Sequence, residues 1–396
     1  MNLWTTPHKI VVTCLKRLSP FLEEELRALA FPVTRTFSNG VETTGTLTDC
    51  IRLNLELRCA SQVLYSLKAF KAEHPGQVYD QLKDISWESI IEPSTYLTVT
   101  GSVTHPTVNN SMFINMKVKD AVVDQLRAKT GQRPDSGPDL KGAVVNLYWK
   151  EDEAEVFLDT SGETLAKHGY RLHPGRAPMM EALASATLMA AQWRGDMPFV
   201  NPMCGSGTLA IEAALMATGR APGLYRDQYA FRHIKGYREE DYRAVREKLS
   251  QRILPKLPHR IIASDISEGS VKQARFNARQ AGVEEFIEFE VCDFAETSLP
   301  QPPAIIFFNP EYGERLGELQ ELEKTYERVG DFMKQKCAGY TGYVFTGNLD
   351  LAKKVGLKPQ RRIEFFSAKL DCRLFKYELY GGTRRTDKLT LPPVSQ

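Results

Sequence analysis

Residues Phe199–Thr208 read FVNPMCGSGT and run straight into the apolar stretch Leu209–Met216. Phe199 and Val200 close a short run suited to a buried strand, Gly205 and Gly207 permit a tight turn, and Leu209–Met216 begins a helix. A strand, a glycine turn and a helix in that order let backbone amides approach a ligand at the carboxyl edge of a parallel sheet. Two glycines at this spacing also suit an ordinary strand-to-helix connection, so the flanking chain has to separate the two.

Upstream, Met179–Trp193 has a helical pattern. Downstream, the runs Arg260–Ser264, Phe286–Val291, Ala304–Phe308, Thr341–Thr346 and Arg373–Tyr380 are predicted strands. Helical stretches at Glu268–Ala281, Leu319–Lys336 and Leu349–Val355 lie between them. Strands alternating with helices predict a doubly wound, mostly parallel sheet. Three of the predicted strands end on a polar residue: Asp265 after RIIAS, Asp293 after IEFEVC and Asn309 after AIIFF. In a doubly wound sheet the carboxyl ends of strands collect on one edge, so these three and the glycine turn converge.

Asp265 suits a ribose diol, because a carboxylate accepts from both hydroxyls. Asp293 suits an exocyclic adenine amine. Each taken singly is equally a turn or N-cap residue. The pentad Asn309-Pro310-Glu311-Tyr312-Gly313 offers amide and carbonyl acceptors for an exocyclic NH2, a proline that restricts the chain, and a ring to stack on a base; a plain turn is the alternative. A dinucleotide fingerprint expects its acid about 20 residues after the glycines, and Asp265 lies much further on. No GxxxxGK[ST] loop occurs either, which disfavours a dehydrogenase and an NTPase.

The first part of the chain has mixed order. Predicted strands at Lys9–Leu15, Val33–Phe37, Val41–Leu47, Val63–Phe70, Tyr96–Ser102, Ala143–Trp149 and Glu155–Leu158 are interspersed with helices from Ser19 to Ala30, Asp49 to Cys59, Gln77 to Lys83 and Ser111 to Lys129. Ser38-Asn39-Gly40 marks a hairpin. This order predicts α+β architecture in small units. On the long helix Met116, Ala121, Val122 and Leu126 are expected inward, with Lys117, Lys119, Arg127 and Lys129 towards water. Residues 162–178, GETLAKHGYRLHPGRAP, read as a polar connector.

At 396 residues the chain exceeds one hydrophobic core, so two or three domains are expected. A formal charge of +2 is nearly neutral and confines any nucleic-acid surface to a local patch. One such patch is 218–258, where ten Lys/Arg stand against five Asp/Glu with Tyr225, Tyr229, Phe231, Tyr237 and Tyr242 interleaved. A helical insertion with its rings packed underneath is the competing reading. Seven cysteines at irregular spacing, without a CxxC pair or a His/Cys cluster, point to reduced thiols and no metal site. No stretch reaches the roughly 18 apolar residues that span a bilayer, and the amino terminus lacks a cleavage pattern; a cytoplasmic protein without membrane partners is expected.

NPMCGSGT, Asp265, Asp293 and NPEYG together resemble the motifs of S-adenosylmethionine-dependent amino-methyltransferases that modify nucleic-acid bases. NSMFINMKVKDAVVDQLR and VNLYWKEDEAEVFLDTSGETLAKHGYR resemble a THUMP module and its junction to such a domain. Nearly the whole chain is similar to the bacterial ribosomal RNA large subunit methyltransferase L group. The resemblance implies a class I, Rossmann-like α/β methyltransferase domain over 179–385, with the insertion at 218–258. It also implies a ferredoxin-like segment over 1–60, a THUMP RNA-binding domain over 61–161 and a connector over 162–178.

It further implies S-adenosylmethionine as cofactor, held by Asn201, Cys204, Gly205, Gly207, Asp265 and Asp293. Asn309, Pro310 and Tyr312 would be catalytic. The implied product is N2-methylguanosine in 23S rRNA, free or in an assembly intermediate, with no stable protein partner. Lys117, Lys119, Arg127, Lys129 and Arg133 are candidate contacts to the RNA backbone, against the alternative of a solvated helix face. Glu311 stands where the family usually has a second proline. N2-guanine methylation of tRNA and a non-catalytic RNA-binding or assembly role are the other readings, with adenine N6 methylation less favoured.

Overall fold

The computed structural model describes residues 2–106, 108, 110–171, 179–312, 319–367 and 370–381. The amino-terminal elements are β1 (His8–Cys14), α1 (Ser19–Ala28), β2 (Val33–Phe37), β3 (Gly40–Gly45), α2 (Leu47–Glu56) and β4 (Ala60–Lys71). They continue as α3 (Pro75–Lys83), β5 (Leu97–Thr104), α4 (Ser111–Thr130), β6 (Ala143–Lys150) and β7 (Glu153–Asp159). The small units expected from the sequence are in fact one seven-stranded sheet, β2-β3-β1-β4-β7-β6-β5. The reason is the length of β4: its 12 residues pair with β1 through Ala60–Tyr65 and with β7 through Leu64–Lys71.

Local signals set the helix ends. A reciprocal capping box between Thr46 and Asp49 starts α2, and Asn110 caps the Met112 amide of α4. The inward face of α4 is Ile114, Val118, Ala121, Val122 and Leu126, all fully buried. Met116 is a correction to the sequence reading, since it is 55% exposed together with Met112 and Phe113. Its position falls between the i, i+4, i+7 row that starts at Ile114 and so faces away from the sheet.

The second region contains α5 (Glu181–Ala190), β8 (Phe199–Pro202), α6 (Thr208–Ala217), α7 (Glu239–Gln251), β9 (Ile261–Asp265), α8 (Glu268–Gln280) and β10 (Ile287–Val291). After these come β11 (Ile305–Phe308), α9 (Leu319–Lys336), β12 (Thr341–Thr346), α10 (Leu349–Lys354), β13 (Arg361–Ser367) and β14 (Leu370–Glu378). Strand order is β10-β9-β8-β11-β12-β14-β13, with the first five parallel to one another, β14 antiparallel to β12 and β13 antiparallel to β14. Alternate residues pack on opposite faces: Phe199, Ile261 and Phe307 on one, Val200, Ile262, Ile306 and Phe308 on the other. Burial on both faces accounts for the near-continuous apolar runs. The chain reverses its winding between β8 and β11, and the crevice at their carboxyl ends is where such folds bind ligands.

The aromatic insertion resolves in favour of packing. Tyr229, Phe231 and Tyr242 are buried, with the first two stacked at 5.0 Å between centroids. The guanidinium of Arg232 lies 4.7 Å from the Tyr242 ring and pairs with Glu239. These rings are therefore core rather than stacking platforms for bases. Gly223 in this piece lies flush on α2, where a Cβ would sit 2.4 Å from the Leu55 Cα.

The first half of the connector is anchored. Leu165, Ala166, His168 and Tyr170 are buried, and Leu165 donates its amide to the Ser61 carbonyl at 2.8 Å. Residues 172–178 lie outside the described residues, as do 382–385 of the expected methyltransferase span. No helix among the described residues is long and apolar enough to cross a membrane.

Candidate cofactor and amine site

The glycine turn follows β8 with three left-handed residues, Met203, Gly205 and Gly207, at φ of 58°, 55° and 83°. Gly207 is required twice over: its φ disfavours a side chain, and a Cβ would meet that of Ala274 on α8 at 2.8 Å. Gly205 differs, since nothing lies within 4 Å of where its Cβ would be. The space beside Gly205 is therefore open.

Neighbouring strands hold the turn. Cys204 donates its amide to the Ser264 carbonyl at 2.9 Å, and Gly205 donates to Asp265 Oδ2 at 2.9 Å. Asp265 Oδ1 accepts from the Ser267 amide at 2.9 Å, and Asn277 Nδ2 from α8 donates to the Ser206 carbonyl at 3.1 Å. Asp265 thus pins the turn to β9, and its carboxylate still has lone pairs for a ligand hydroxyl. Burial pushes the Cys204 thiol above its usual range, with Asp265 adding to the shift. A protonated thiol suits packing rather than nucleophilic attack.

Asp293 follows β10. Its Oδ1 accepts from the Ala295 amide at 2.9 Å and from Arg328 Nη2 at 2.8 Å. Burial opposes ionisation there, but these donors outweigh it and hold the carboxyl below the ordinary aspartate range. Beside these candidates stand residues that the sequence reading did not single out. Ile266, 74% exposed directly after Asp265, presents an apolar surface at the same edge. Its position beside the acid was the available signal; Arg328 and Asn277 had none, because distant helices deliver them.

Asn309 closes β11. Its side-chain Oδ1 is shut off from solvent and has no hydrogen-bond donor among the described residues. Asn201, fully buried on β8, donates Nδ2 to the Phe307 carbonyl at 2.9 Å. It ties the strand that enters the glycine turn to the strand before Asn309, while its own Oδ1 is also shielded and has no donor among the described residues. Pro310 is buried, Glu311 exposed and Tyr312 half-buried. Tyr312 packs on Gly347 after β12, where a Cβ would stand 3.2 Å from its Cδ2 and Cε2 and 3.4 Å from Cys372 Sγ. Gly313 and Arg315, the latter a candidate partner for Glu311, lie outside the described residues.

The topology therefore gathers the glycine turn, Asp265, Asp293 and Asn309 on one sheet edge. The basic candidates sit apart, on and after α4. Lys117 lies 5.8 Å from the Phe113 ring centroid and Lys119 pairs with Asp120 at 3.1 Å, whereas Arg127, Lys129 and Arg133 are exposed. Lys119 is accordingly a partnered residue rather than a free cation. No group of three or more His, Cys, Asp or Glu placed to hold a metal occurs among the described residues.

Three family models match the chain. Residues 168–376 match one described as RMKL-like, methyltransferase domain; 9–64 match the RlmL ferredoxin-like domain, and 74–159 the THUMP domain. A ribosomal RNA large subunit methyltransferase K/L of Syntrophotalea carbinolica is 36% identical over 386 residues, covering 94% of this chain and 54% of that protein. The chain spans about half the length of such K/L relatives. A Synechocystis sp. protein, slr0064, named provisionally as an RNA methyltransferase, is 30% identical over 95% of this chain and 98% of its own. A Listeria monocytogenes crystal structure, described as a predicted N6-adenine-specific DNA methylase, superposes with a TM-score of 0.85 at 26% identity, covering 94% and 97% of the two chains.

Proposed function

We propose, given that the chain belongs to the RMKL-like methyltransferase family and is an S-adenosylmethionine-dependent enzyme, that it methylates the exocyclic N2 amine of a guanosine in 23S rRNA. The observation that carries the amine is the Asn309 side-chain oxygen, an acceptor closed to water with no donor among the described residues. A buried acceptor left unpaired costs about 1–3 kcal/mol. An incoming N–H relieves that cost, so the site is prepared for a donor at the position a reacting amine needs. Guanosine and ribosomal RNA rest on the resemblance to the K/L relatives.

The residues fit the cofactor's parts. The open space over Gly205 takes the chain next to the turn, Asp265 accepts from the ribose hydroxyls, and Ile266 gives an apolar face to the adenine. Asp293 accepts from the adenine amine through Oδ2, for which no protein donor occurs among the described residues. S-adenosylmethionine, when bound, supplies a sulfonium-activated methyl group. Asn309 Oδ1 and the Pro310 carbonyl accept from the target NH2 and aim its lone pair, so most of the acceleration comes from orientation. Tyr312 supports the extruded base. Glu311 is exposed and takes no part in this arrangement.

Arg127, Lys129 and Arg133 contact RNA phosphates on the amino-terminal region. The test incubates purified protein and labelled S-adenosylmethionine with separate unmodified 23S rRNA and tRNA pools, followed by nucleoside analysis. Labelled N2-methylguanosine in the rRNA supports the proposal. Label only in tRNA, label in N6-methyladenosine, or none in either pool would each refute it.

A further inference from the structure

The amino-terminal region reaches the β13–β14 hairpin from the turn between β1 and α1 and the first turn of α1. There Arg17 holds a left-handed backbone at φ 71°, a conformation L side chains seldom adopt, and its guanidinium reaches across to the β13–β14 hairpin. Arg17 Nη1 lies 2.5 Å from Asp371 Oδ1 and 3.3 Å from the Phe365 carbonyl, and Nη2 lies 3.5 Å from Glu364. Lys16 Nζ sits 4.3 Å over the Phe366 ring, and Phe21 stacks on Phe365 at 5.5 Å and 7°.

Asp371 and Glu364 also pair with Arg373. Because β14 runs antiparallel to β12, with Thr346 opposite Arg373, this cluster lies at the carboxyl edge. The next residue after Asp371 is Cys372, fully buried, whose Sγ packs with the Tyr312 ring against Gly347. Phe365, equally buried, packs edge-on against Phe345 of β12.

A contiguous set of contacts thus runs from Arg17 through Asp371 and Cys372 to Tyr312. Half-exposed ion pairs such as Arg17–Asp371 add little to global stability. A strained backbone that supports a weakly stabilising pair points to a role in the site.

We infer that Arg17 is a positioning residue: it fixes the start of β14 so that Cys372 and Gly347 backstop Tyr312 and hold the Asn309–Tyr312 loop in place. This rests on the reading that the loop carries methyl transfer. It assigns the amino-terminal region a part in aligning the chemistry, beyond holding RNA.

The test compares wild type with Arg17→Gly, which removes the side chain and relaxes the backbone, Arg17→Lys, and Asp371→Asn from the other side of the contact. Hydrogen–deuterium exchange over residues 305–312, read without RNA, is the measurement independent of activity. Arg17→Gly and Asp371→Asn are expected to speed exchange there alike, and their double variant no further, while Arg17→Lys recovers part of the protection. Single-turnover transfer at saturating RNA falls by about tenfold or more, as small misplacements of reacting groups do, with S-adenosylmethionine affinity and RNA KM unchanged. Unchanged exchange over 305–312 overturns the inference, whether or not the rate falls. A wild-type protein that methylates neither RNA pool refutes the proposed function instead, and the exchange data still decide the coupling.

Discussion

Glu212→Ala is expected to be among the more costly single changes in this chain. Glu212 lies on α6, fully buried, and accepts from His168 Nδ1 at 2.8 Å and from Ser185 Oγ at 2.8 Å. His168 in turn contacts the Arg58 carbonyl through Nε2 at 3.0 Å, joining the connector to both regions. Burial works against both charges, yet each partner overrides it in the other: the histidine is held above its ordinary pKa and the glutamate below its own. Both shifts favour the ion pair, and removing one member of a buried ion pair leaves the other charge uncompensated at a cost of about 3–5 kcal/mol.

Against a domain stability of about 5–15 kcal/mol that is a large share. At ~2–4 °C per kcal/mol for a domain of this size it lowers Tm by roughly 6–20 °C. Urea unfolding followed by tryptophan fluorescence reads the change, and of the four tryptophans Trp193 lies near its source, since that indole donates to the Ala213 carbonyl one residue from Glu212. The double variant His168→Ala/Glu212→Ala should be less destabilised than the two single losses summed. A loss below about 1 kcal/mol for Glu212→Ala, the level of an exposed pair, or strict additivity in the double variant, would show that the pair is not a buried ion pair.

The same pair gives stability a pH dependence. The His168 contribution is complete below the ordinary histidine pKa and fades as pH rises through its raised folded value; that of Glu212 is complete above the ordinary glutamate pKa and fades as pH falls through its depressed one. Wild type is expected to melt lower as pH rises through that raised value, and melting curves for Glu212→Gln should lack this alkaline decline. Gly207→Ala combines a left-handed backbone with a 2.8 Å contact to Ala274 and is expected to cost about 2–4 kcal/mol and to displace the cofactor turn, checked by melting with and without S-adenosylmethionine. Asp293→Ala should weaken cofactor binding about 10- to 100-fold, the range of a hydrogen bond to a charged group; an unaltered Kd by calorimetry removes Asp293 from the site. Asn309→Ala should reduce transfer by about 10²-fold or more while RNA and cofactor affinities stay level, and a variant at the wild-type rate ends the role given to its oxygen. Replacing Arg127 and Arg133 by alanine should lower RNA affinity and flatten its salt dependence by roughly two phosphate contacts.

Periodicity and strand-end chemistry made the methyltransferase half legible. The helix at Leu319–Lys336 and the strands that lead to Asp265 and Asn309 follow from local pattern because the helix is strongly amphipathic and the strands are buried on both faces, whereas edge strand β10 before Asp293 is only partly buried and was legible from its β-branched and aromatic residues. Edge strand β13 escaped because RRIEFFS opens on two arginines and has solvent along part of its length, which blurs an alternating signal. Met116 was misplaced by counting apolar residues on α4 without the row set by Ile114 and Val118. Composition in the 218–258 piece suggested rings for stacking on RNA, yet nothing local says whether a tyrosine faces water or a neighbouring helix. Asn201 was assigned to the cofactor from motif alone; its hydrogen bond to Phe307 depends on strand order, which no single stretch encodes.

The dual pairing of β4 bears on how this protein could be taken apart. Cutting the chain near residue 60 would strip away β1, β2 and β3 and leave the Ala60–Tyr65 portion of β4 with unsatisfied amides and carbonyls along a bare edge. An unprotected edge of that kind invites aggregation. Chimeras that exchange the amino-terminal region should therefore transplant everything through β7 as a single cassette, with the seam placed after Asp159 rather than inside the sheet.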